Sequence, residues 1–205
     1  MFRRNFLKKI LITTIGVIIM SNKLLAKEIF NKPVFKDRIF YNNYINHKMA
    51  SFKEFWKWRK ESTKPEPISF PLVKNDPRFL QQNRTQKTLT WIGHASFLLQ
   101  IDGINILTDP HLTKRASPVI FAGPSRTTPP GLSIEDLPAI DIIVISHNHY
   151  DHLDYQTILQ ITRKQKNNQP LILVPLKLKK LLKSFGAKNV KELEWWGNSN
   201  FKNLT

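Results

Sequence analysis

Residues 140–152 of the chain are Ile-Asp-Ile-Ile-Val-Ile-Ser-His-Asn-His-Tyr-Asp-His. The first six are nearly all β-branched and apolar, which is typical of a strand buried on both faces. Four residues of ligand type follow within six positions: His147, His149, Asp151 and His152. Imidazole nitrogens and a carboxylate oxygen are ligands that suit zinc. The sequence therefore predicts a metal site on the loop after a buried strand.

The sequence on both sides of this segment alternates between strands and helices. Asp102-Gly103 is typical of a tight hairpin turn and lies between two apolar runs, which predicts a β-meander. Farther along, apolar runs alternate with segments of helical period, one of them closed by Gly186. The predicted strands are 88–92, 96–101, 104–107, 140–145, 171–174 and 190–195, and the predicted helices are 153–165 and 176–185. The predicted class is mixed α/β.

The amino-acid composition limits the chemistry. With 205 residues, 41% of them hydrophobic, the chain can bury a core. It contains no Cys, which excludes disulfides, thiolate zinc sites and cysteine nucleophiles. Any metal must therefore be held by His and carboxylate side chains.

The net charge of +17 does not predict nucleic-acid binding, because the basic residues are spread over the whole length and are mostly Lys. We expect no specific nucleic-acid partner. Two explanations of the charge stay open: a coding bias toward Lys, Asn and Ile, and an anionic membrane surface or anionic substrate. The sequence does not predict the oligomeric state.

Residues 1–26 have the pattern of an export signal. Arg3-Arg4-Asn5-Phe6-Leu7-Lys8 resembles the bacterial twin-arginine motif and precedes an apolar stretch, 10–20, that is too short for an ordinary membrane span. We predict a signal peptide or membrane anchor here, with an ordinary secretory signal as the alternative to the twin-arginine route. The expected location is exported, periplasmic or membrane-tethered, in a bacterium.

Residues 27–87 form a predicted N-terminal extension with little chemistry, and 88–205 the predicted main domain. Within the extension, basic residues alternate with Phe52, Phe55, Trp56 and Trp58. This pattern indicates either a short helix that packs its aromatic side chains or a basic aromatic surface for lipid headgroups. We expect packing.

The motif around His147 is similar to the signature of the metallo-β-lactamase fold superfamily. Other segments resemble the branch that contains N-acylphosphatidylethanolamine-hydrolysing phospholipase D and its bacterial relatives. These segments are Thr90-Trp91-Ile92-Gly93-His94-Ala95, Leu107-Thr108-Asp109-Pro110, Arg115-Ala116-Ser117-Pro118, Gly123-Pro124, Leu137-Pro138-Ala139-Ile140-Asp141 and Glu194-Trp195-Trp196. The resemblance implies the αββα sandwich of that superfamily, present here as its N-terminal half and part of the second half.

The resemblance also implies roles for the ligand-type residues. His147 and His149 would bind one zinc ion, and Asp151 and His152 the second. Asp151 would also be catalytic, because the family orients its nucleophilic water at this position. We expect His94 and Asp109 to give structural support: His94 as a buried, hydrogen-bonded residue, and Asp109 by bracing the metal loop.

The implied function is a metal-dependent hydrolase that uses a zinc-bound hydroxide. Its expected substrate is the phosphodiester of an N-acyl phospholipid, or another small ester or phosphodiester. One alternative is a lactonase resembling the ascorbate-6-phosphate enzymes, because the same metal core serves several reactions. The other is an inactive, truncated remnant that adheres to an anionic membrane.

The second half of the superfamily fold supplies further ligands, a third His for each metal and a bridging Asp. No His follows His152 in this sequence. We therefore expect the 88–205 domain to be incomplete, most simply through truncation at the level of the gene.

Overall fold

The computed structural model describes residues 32–45, 50–63, 66 and 71–205. The predicted export signal, 1–26, lies outside these residues. The chain divides into two compact units, one of residues 1–61 and 194–205 and the other of residues 62–193.

The first unit contains a β-hairpin and a helix in its described part. Strands β1 (Val34–Lys36) and β2 (Ile39–Tyr41) pair antiparallel, and helix α1 spans Phe52–Glu61. No residue of α1 is buried. The prediction that its aromatic side chains are buried by packing is therefore wrong.

The second unit is built on a six-stranded sheet in the order β3-β4-β5-β6-β7-β8. The first three strands pair antiparallel and the last three are parallel to β5 and to one another. The strands are β3 (Thr88–Gly93), β4 (Ser96–Ile101), β5 (Ile104–Thr108), β6 (Ile142–Val144), β7 (Leu171–Pro175) and β8 (Val190–Leu193). The mixed α/β class is confirmed, and such a sheet fits one sheet layer of the predicted metallo-β-lactamase sandwich.

Turn chemistry explains the antiparallel part. Asp102 and Gly103 both have positive φ, 50° and 74°, which is the conformation that a two-residue hairpin turn needs. Ile101 therefore pairs directly with Ile104. The predicted meander is confirmed.

Strand β6 is shorter than the predicted 140–145. The backbone amide of Asp141 still donates to Asn105 O, and that of Ile145 to Leu173 O, both at 2.9 Å. Beyond Ile145 the amide of Ser146 turns away from the sheet and donates to the Asp109 carboxylate at 2.7 Å. The side chain of Asp109 thus ends the strand.

The helices of the second unit are α2 (Pro77–Gln82), α3 (Tyr155–Lys164) and α4 (Lys179–Ser184). The prediction placed the start of α3 at residue 153 and that of α4 at 176. Asp154 instead caps α3, because its carboxylate accepts from Gln156 N at 3.1 Å. Similarly, Glu192 accepts from Lys179 N at 2.7 Å, so α4 begins later than predicted.

The core lies between the sheet and α3, with Leu98, Leu107, Ile143 and Ile158 fully buried. In the described part of the chain, no helix is both long and apolar enough to cross a membrane.

We expect Leu98→Ala to lower the free energy of unfolding by about 2–5 kcal/mol, because Leu98 is fully buried and its truncation leaves a cavity. Urea denaturation measures the change. Leu89→Ala on the neighbouring strand is the matched control, because Leu89 is 67% exposed. Equal losses in the two variants would contradict the packing of this sheet.

Candidate metal centre

The loop between β6 and α3 is a tight turn. The carbonyl oxygen of His149 accepts hydrogen bonds from the amides of His152 and Leu153, at 3.0 and 2.8 Å. The carboxylate of Asp154 then caps α3 and also accepts from Thr113 N at 3.2 Å. These bonds fold the His-rich segment back on itself at the carboxyl edge of the sheet, next to the end of β5.

Asp109 is the buried carboxylate beneath this loop. It directly follows β5, has a φ of 36° and is 7% exposed. Its Oδ1 accepts from the amide of Ser146, and its Oδ2 accepts from Ser146 Oγ, both at 2.7 Å. Its Oδ2 also lies 2.9 Å from His152 Nδ1. These are the bracing contacts predicted for Asp109; its role in an active site stays a prediction.

Because a carboxylate only accepts, Asp109 fixes where protons lie around it. The Nδ1 of His152 must carry the hydrogen of the 2.9 Å contact. The Ser146 hydroxyl donates to Asp109, so its oxygen is left to accept from His147 Nδ1, 2.9 Å away. In the neutral rings of His147 and His152, the lone pair then lies on Nε2.

The imidazole rings of the loop lie side by side. The ring centroid of His147 is 4.0 Å from that of His152 and 4.6 Å from that of His149. The Oδ2 of Asp151 lies 3.6 Å from His152 Nε2. The structure therefore brings all four predicted ligands together, while their division between two ions stays a prediction.

His94 is not the buried support residue that we expected. It is exposed in the turn between β3 and β4, with a φ of 52°, and its Nε2 lies 2.9 Å from Asp151 Oδ2. A turn after Gly93 aims the ring outward from the sheet rather than into the core. Gly93-His94 lies between two predicted strands, and this turn reaches the same edge of the sheet as the metal loop. That position is the feature of the sequence that could have indicated His94 as a site residue.

Ligand atoms of His94, Asp151 and His152 all lie within 4.8 Å of one another. This spacing allows one ion to be shared by two imidazoles and a carboxylate. The Asp109–His152 hydrogen bond matches the arrangement by which a carboxylate orients a metal-binding His. The residues present therefore fit a metal ion, and zinc as its identity stays a prediction.

Two groups of the loop have shifted pKa values. Burial lowers the pKa of His147, and the neighbouring His152 and His149 lower it further. Burial alone would raise the pKa of Asp151, but the hydrogen bond from its own backbone amide and the nearby His152 and His94 together lower it. Both shifts favour the metal-binding forms, a neutral imidazole and an ionised carboxylate.

A cavity of about 910 Å³ opens beside these residues. Its polar wall includes His94, His149 and Asp151, and its apolar wall includes Leu89 and Trp91. Cavities of this size hold small-molecule ligands.

Two residues that the sequence analysis gave no role in the site are Arg126 and His111. Both line the cavity, and His111 is only 3% exposed. The backbone amide of His111 donates to the buried Ser96 hydroxyl at 3.0 Å, which ties the loop after Asp109 to β4.

Comparison with known proteins supports this arrangement. Residues 104–205 match the family model of the β-lactamase superfamily domain. This part of the chain belongs to the β-lactamase superfamily. The superfamily segment thus contains β5, the whole His-rich loop and Asp109, and the resemblance noted in the sequence is confirmed.

The curated relatives include hydrolases. The chain is 44% identical over 117 residues to N-acyl-phosphatidylethanolamine-hydrolyzing phospholipase D 1 of Caenorhabditis elegans, covering 55% of this chain and 32% of the relative. A metal-dependent hydrolase of Hyperthermus butylicus is 36% identical over 78 residues, covering 37% of this chain and 28% of the relative. The chain therefore spans about a third of the length of these relatives.

Among solved structures, isothiocyanate hydrolase from Delia radicum gut bacteria is 27% identical. The match covers 51% of this chain and 41% of that one, with a TM-score of 0.41.

We expect Asp109→Asn to weaken zinc binding by about 10–100-fold, because an amide cannot accept all three hydrogen bonds that orient His152 and Ser146. Calorimetric titration with Zn²⁺ measures the affinity. Asp102→Asn in the exposed hairpin turn is the matched control, since Asn also tolerates positive φ. An unchanged affinity in Asp109→Asn would show that Asp109 does not support the site.

Proposed function

We propose that the chain forms the metal-binding part of a zinc-dependent hydrolase that cleaves the phosphodiester of an N-acyl phospholipid. The observation that carries this proposal is the cluster of His94, Asp151 and His152, supported from below by Asp109 and bordering a cavity. The C. elegans relative, named as such a phospholipase D, supports the choice of substrate.

The residues of the site would have separate roles in the reaction. A bound metal ion lowers the pKa of a water molecule and polarises the phosphoryl oxygen. Asp151, whose pKa is lowered, is ionised at neutral pH and can accept a hydrogen bond from that water and orient it for attack. Asp151 and His152, with His94 beside them, would hold one metal ion, and His147 and His149 a second. Asp109 would keep the rings of His147 and His152 in the required tautomer.

The cavity is suited to a substrate with an apolar part. Leu89 and Trp91 line it and are 67% and 50% exposed, so their apolar surfaces are open to a ligand. Covering them with an acyl chain would remove apolar surface from water, which favours binding. The catalytic cluster lies at the polar wall of the same cavity.

We expect the purified chain, loaded with zinc, to release a fatty amide from vesicles that contain an N-acyl phospholipid. His147→Ala should lose zinc and hydrolysis together, because it removes one of the four ligands predicted on the His-rich loop. Mass spectrometry of the lipid products and metal analysis of the protein measure both. Asn148→Ala, an exposed neighbour in the same loop, is the matched control.

Three outcomes separate the hypotheses. Loss of zinc and activity in His147→Ala but not in Asn148→Ala supports the proposal. Hydrolysis of a soluble sugar lactone without action on lipid favours the lactonase. Zinc binding with neither activity in the wild-type chain contradicts both.

The surface of α1 favours a second candidate function, adhesion to an anionic membrane. Its aromatic side chains are exposed: Phe52 by 75%, Trp56 by 53% and Trp58 by 62%. Lys53 and Lys57 lie among them, one helical turn apart. Apolar rings beside ammonium groups suit the interface of a bilayer that carries negative headgroups. Export, which the sequence predicts from residues 1–26, would bring the chain to such a surface and is likewise a proposal.

We expect the double variant Lys53→Glu and Lys57→Glu to lose binding to phosphatidylglycerol vesicles, because the substitutions reverse the charge beside the aromatic side chains. Vesicle co-sedimentation at low and high salt measures this. Lys166→Glu together with Lys180→Glu, at exposed positions of the other unit, is the control with the same change in net charge. Equal losses in both variants would indicate binding through net charge alone and would contradict a role for α1.

A further inference from the structure

Arg126 is half-buried in the wall of the cavity, and backbone carbonyls hold two of its three nitrogens. Its Nε donates to Thr128 O at 3.2 Å, and its Nη1 donates to His111 O. Nη1 also lies 3.3 Å from His111 Nδ1. In the described part of the chain its Nη2 has no hydrogen-bond partner. The guanidinium is therefore fixed in orientation, with one pair of N–H groups left to face a ligand.

No carboxylate pairs with Arg126 within the described residues. Asp154 acts on it only from beyond ion-pair distance. Burial lowers the pKa of Arg126, so holding its charge here has a cost that a bound anion would offset. Unpaired, oriented guanidinium groups are well suited to bind phosphate or carboxylate oxygens.

Gly93 makes room for this group. A Cβ on Gly93 would clash with Nη2 of Arg126 where the guanidinium now lies, and the φ of Gly93 is 137°. The glycine thus brings the free end of Arg126 beside the turn that carries His94. The guanidinium and the candidate metal cluster border one cavity.

His111 reinforces the arrangement. Because Arg126 only donates, His111 Nδ1 accepts, and the ring proton of the neutral form lies on Nε2. That Nε2 is buried. His111 lines the cavity, and its carbonyl oxygen and Nδ1 hold the guanidinium of Arg126 in place.

We propose that Arg126 is a specificity-determining residue that binds the oxyanion of an amphipathic substrate, with the apolar part of the substrate against Leu89 and Trp91. The assignment to substrate recognition rests on the proposed hydrolase function. It names the ligand chemistry, a phosphate-type anion joined to an apolar chain, which can belong to a lipid headgroup or to a free alkyl phosphate.

The test is binding of octyl phosphate to the chain in EDTA, because without metal the anion has only protein groups to bind. Isothermal titration with octyl phosphate, inorganic phosphate and the neutral octyl glucoside separates the contributions of charge and chain. We expect Arg126→Met to weaken octyl phosphate by about tenfold to a hundredfold and to leave octyl glucoside unchanged. Arg163→Met, an exposed position on α3, is the control with the same loss of charge.

Each result decides the proposal. Unchanged octyl phosphate affinity in Arg126→Met would overturn it. Equal wild-type affinities for inorganic phosphate and octyl phosphate would overturn the amphipathic part. If Arg126→Met does not fold, NMR of the wild-type chain replaces it, with the Nε–Hε signal of Arg126 assigned by comparison with Arg126→Lys. That signal must shift on addition of octyl phosphate and not of octyl glucoside. The absence of a shift would overturn the proposal.

The same titration separates this inference from the hydrolase function. If Arg126 is needed for binding octyl phosphate but the chain cleaves no lipid, the anion site is upheld and the proposed reaction is not. The opposite result is that Arg126→Met cleaves lipid with the wild-type KM and binds octyl phosphate with the wild-type affinity. That result would uphold the reaction and reject the role of Arg126. Vesicles of N-acyl phospholipid, compared with monomeric octyl phosphate, show whether the headgroup must be presented in a bilayer.

Discussion

The site depends on the carboxylate of Asp109. It is buried at the end of β5 and accepts three hydrogen bonds from Ser146 and His152. These bonds end β6, turn the His-rich loop away from the sheet and place the ring lone pairs of His147 and His152 on Nε2. A buried carboxylate without them would carry a large desolvation penalty, so the loop and the carboxylate stabilise each other. The four predicted metal ligands therefore lie on a loop whose shape depends on this one side chain.

The parallel half of the sheet explains why the site forms where it does. Carboxyl ends of β5 and β6 meet at one edge, so the residues that follow each strand come together. The turn between β3 and β4 reaches the same region and adds His94 to the cluster. Within the unit of residues 62–193, segments far apart in sequence thus contribute to one cavity.

Local chemistry allowed much of this to be predicted from the sequence. Asp102-Gly103 specified the hairpin, and the apolar run before Ser146 specified a buried strand with the ligand residues after it. The position of His94 was not predictable in the same way, because its exposure depends on the positive φ values of Gly93 and His94 and not on hydrophobic period. Arg126 was missed for a related reason: a lone Arg in a Pro-rich loop gives no signal until the space above Gly93 is seen.

We expect zinc to bind at His152 and Asp151, and anomalous X-ray scattering at the zinc edge locates it. In crystals of the chain grown with zinc, an anomalous peak should lie about 2.0–2.2 Å from His152 Nε2 and from a carboxylate oxygen of Asp151. The Asp109–His152 hydrogen bond should persist in that structure. Zinc found only at other surface groups, with His152 Nε2 unliganded, would contradict a metal centre on the His-rich loop.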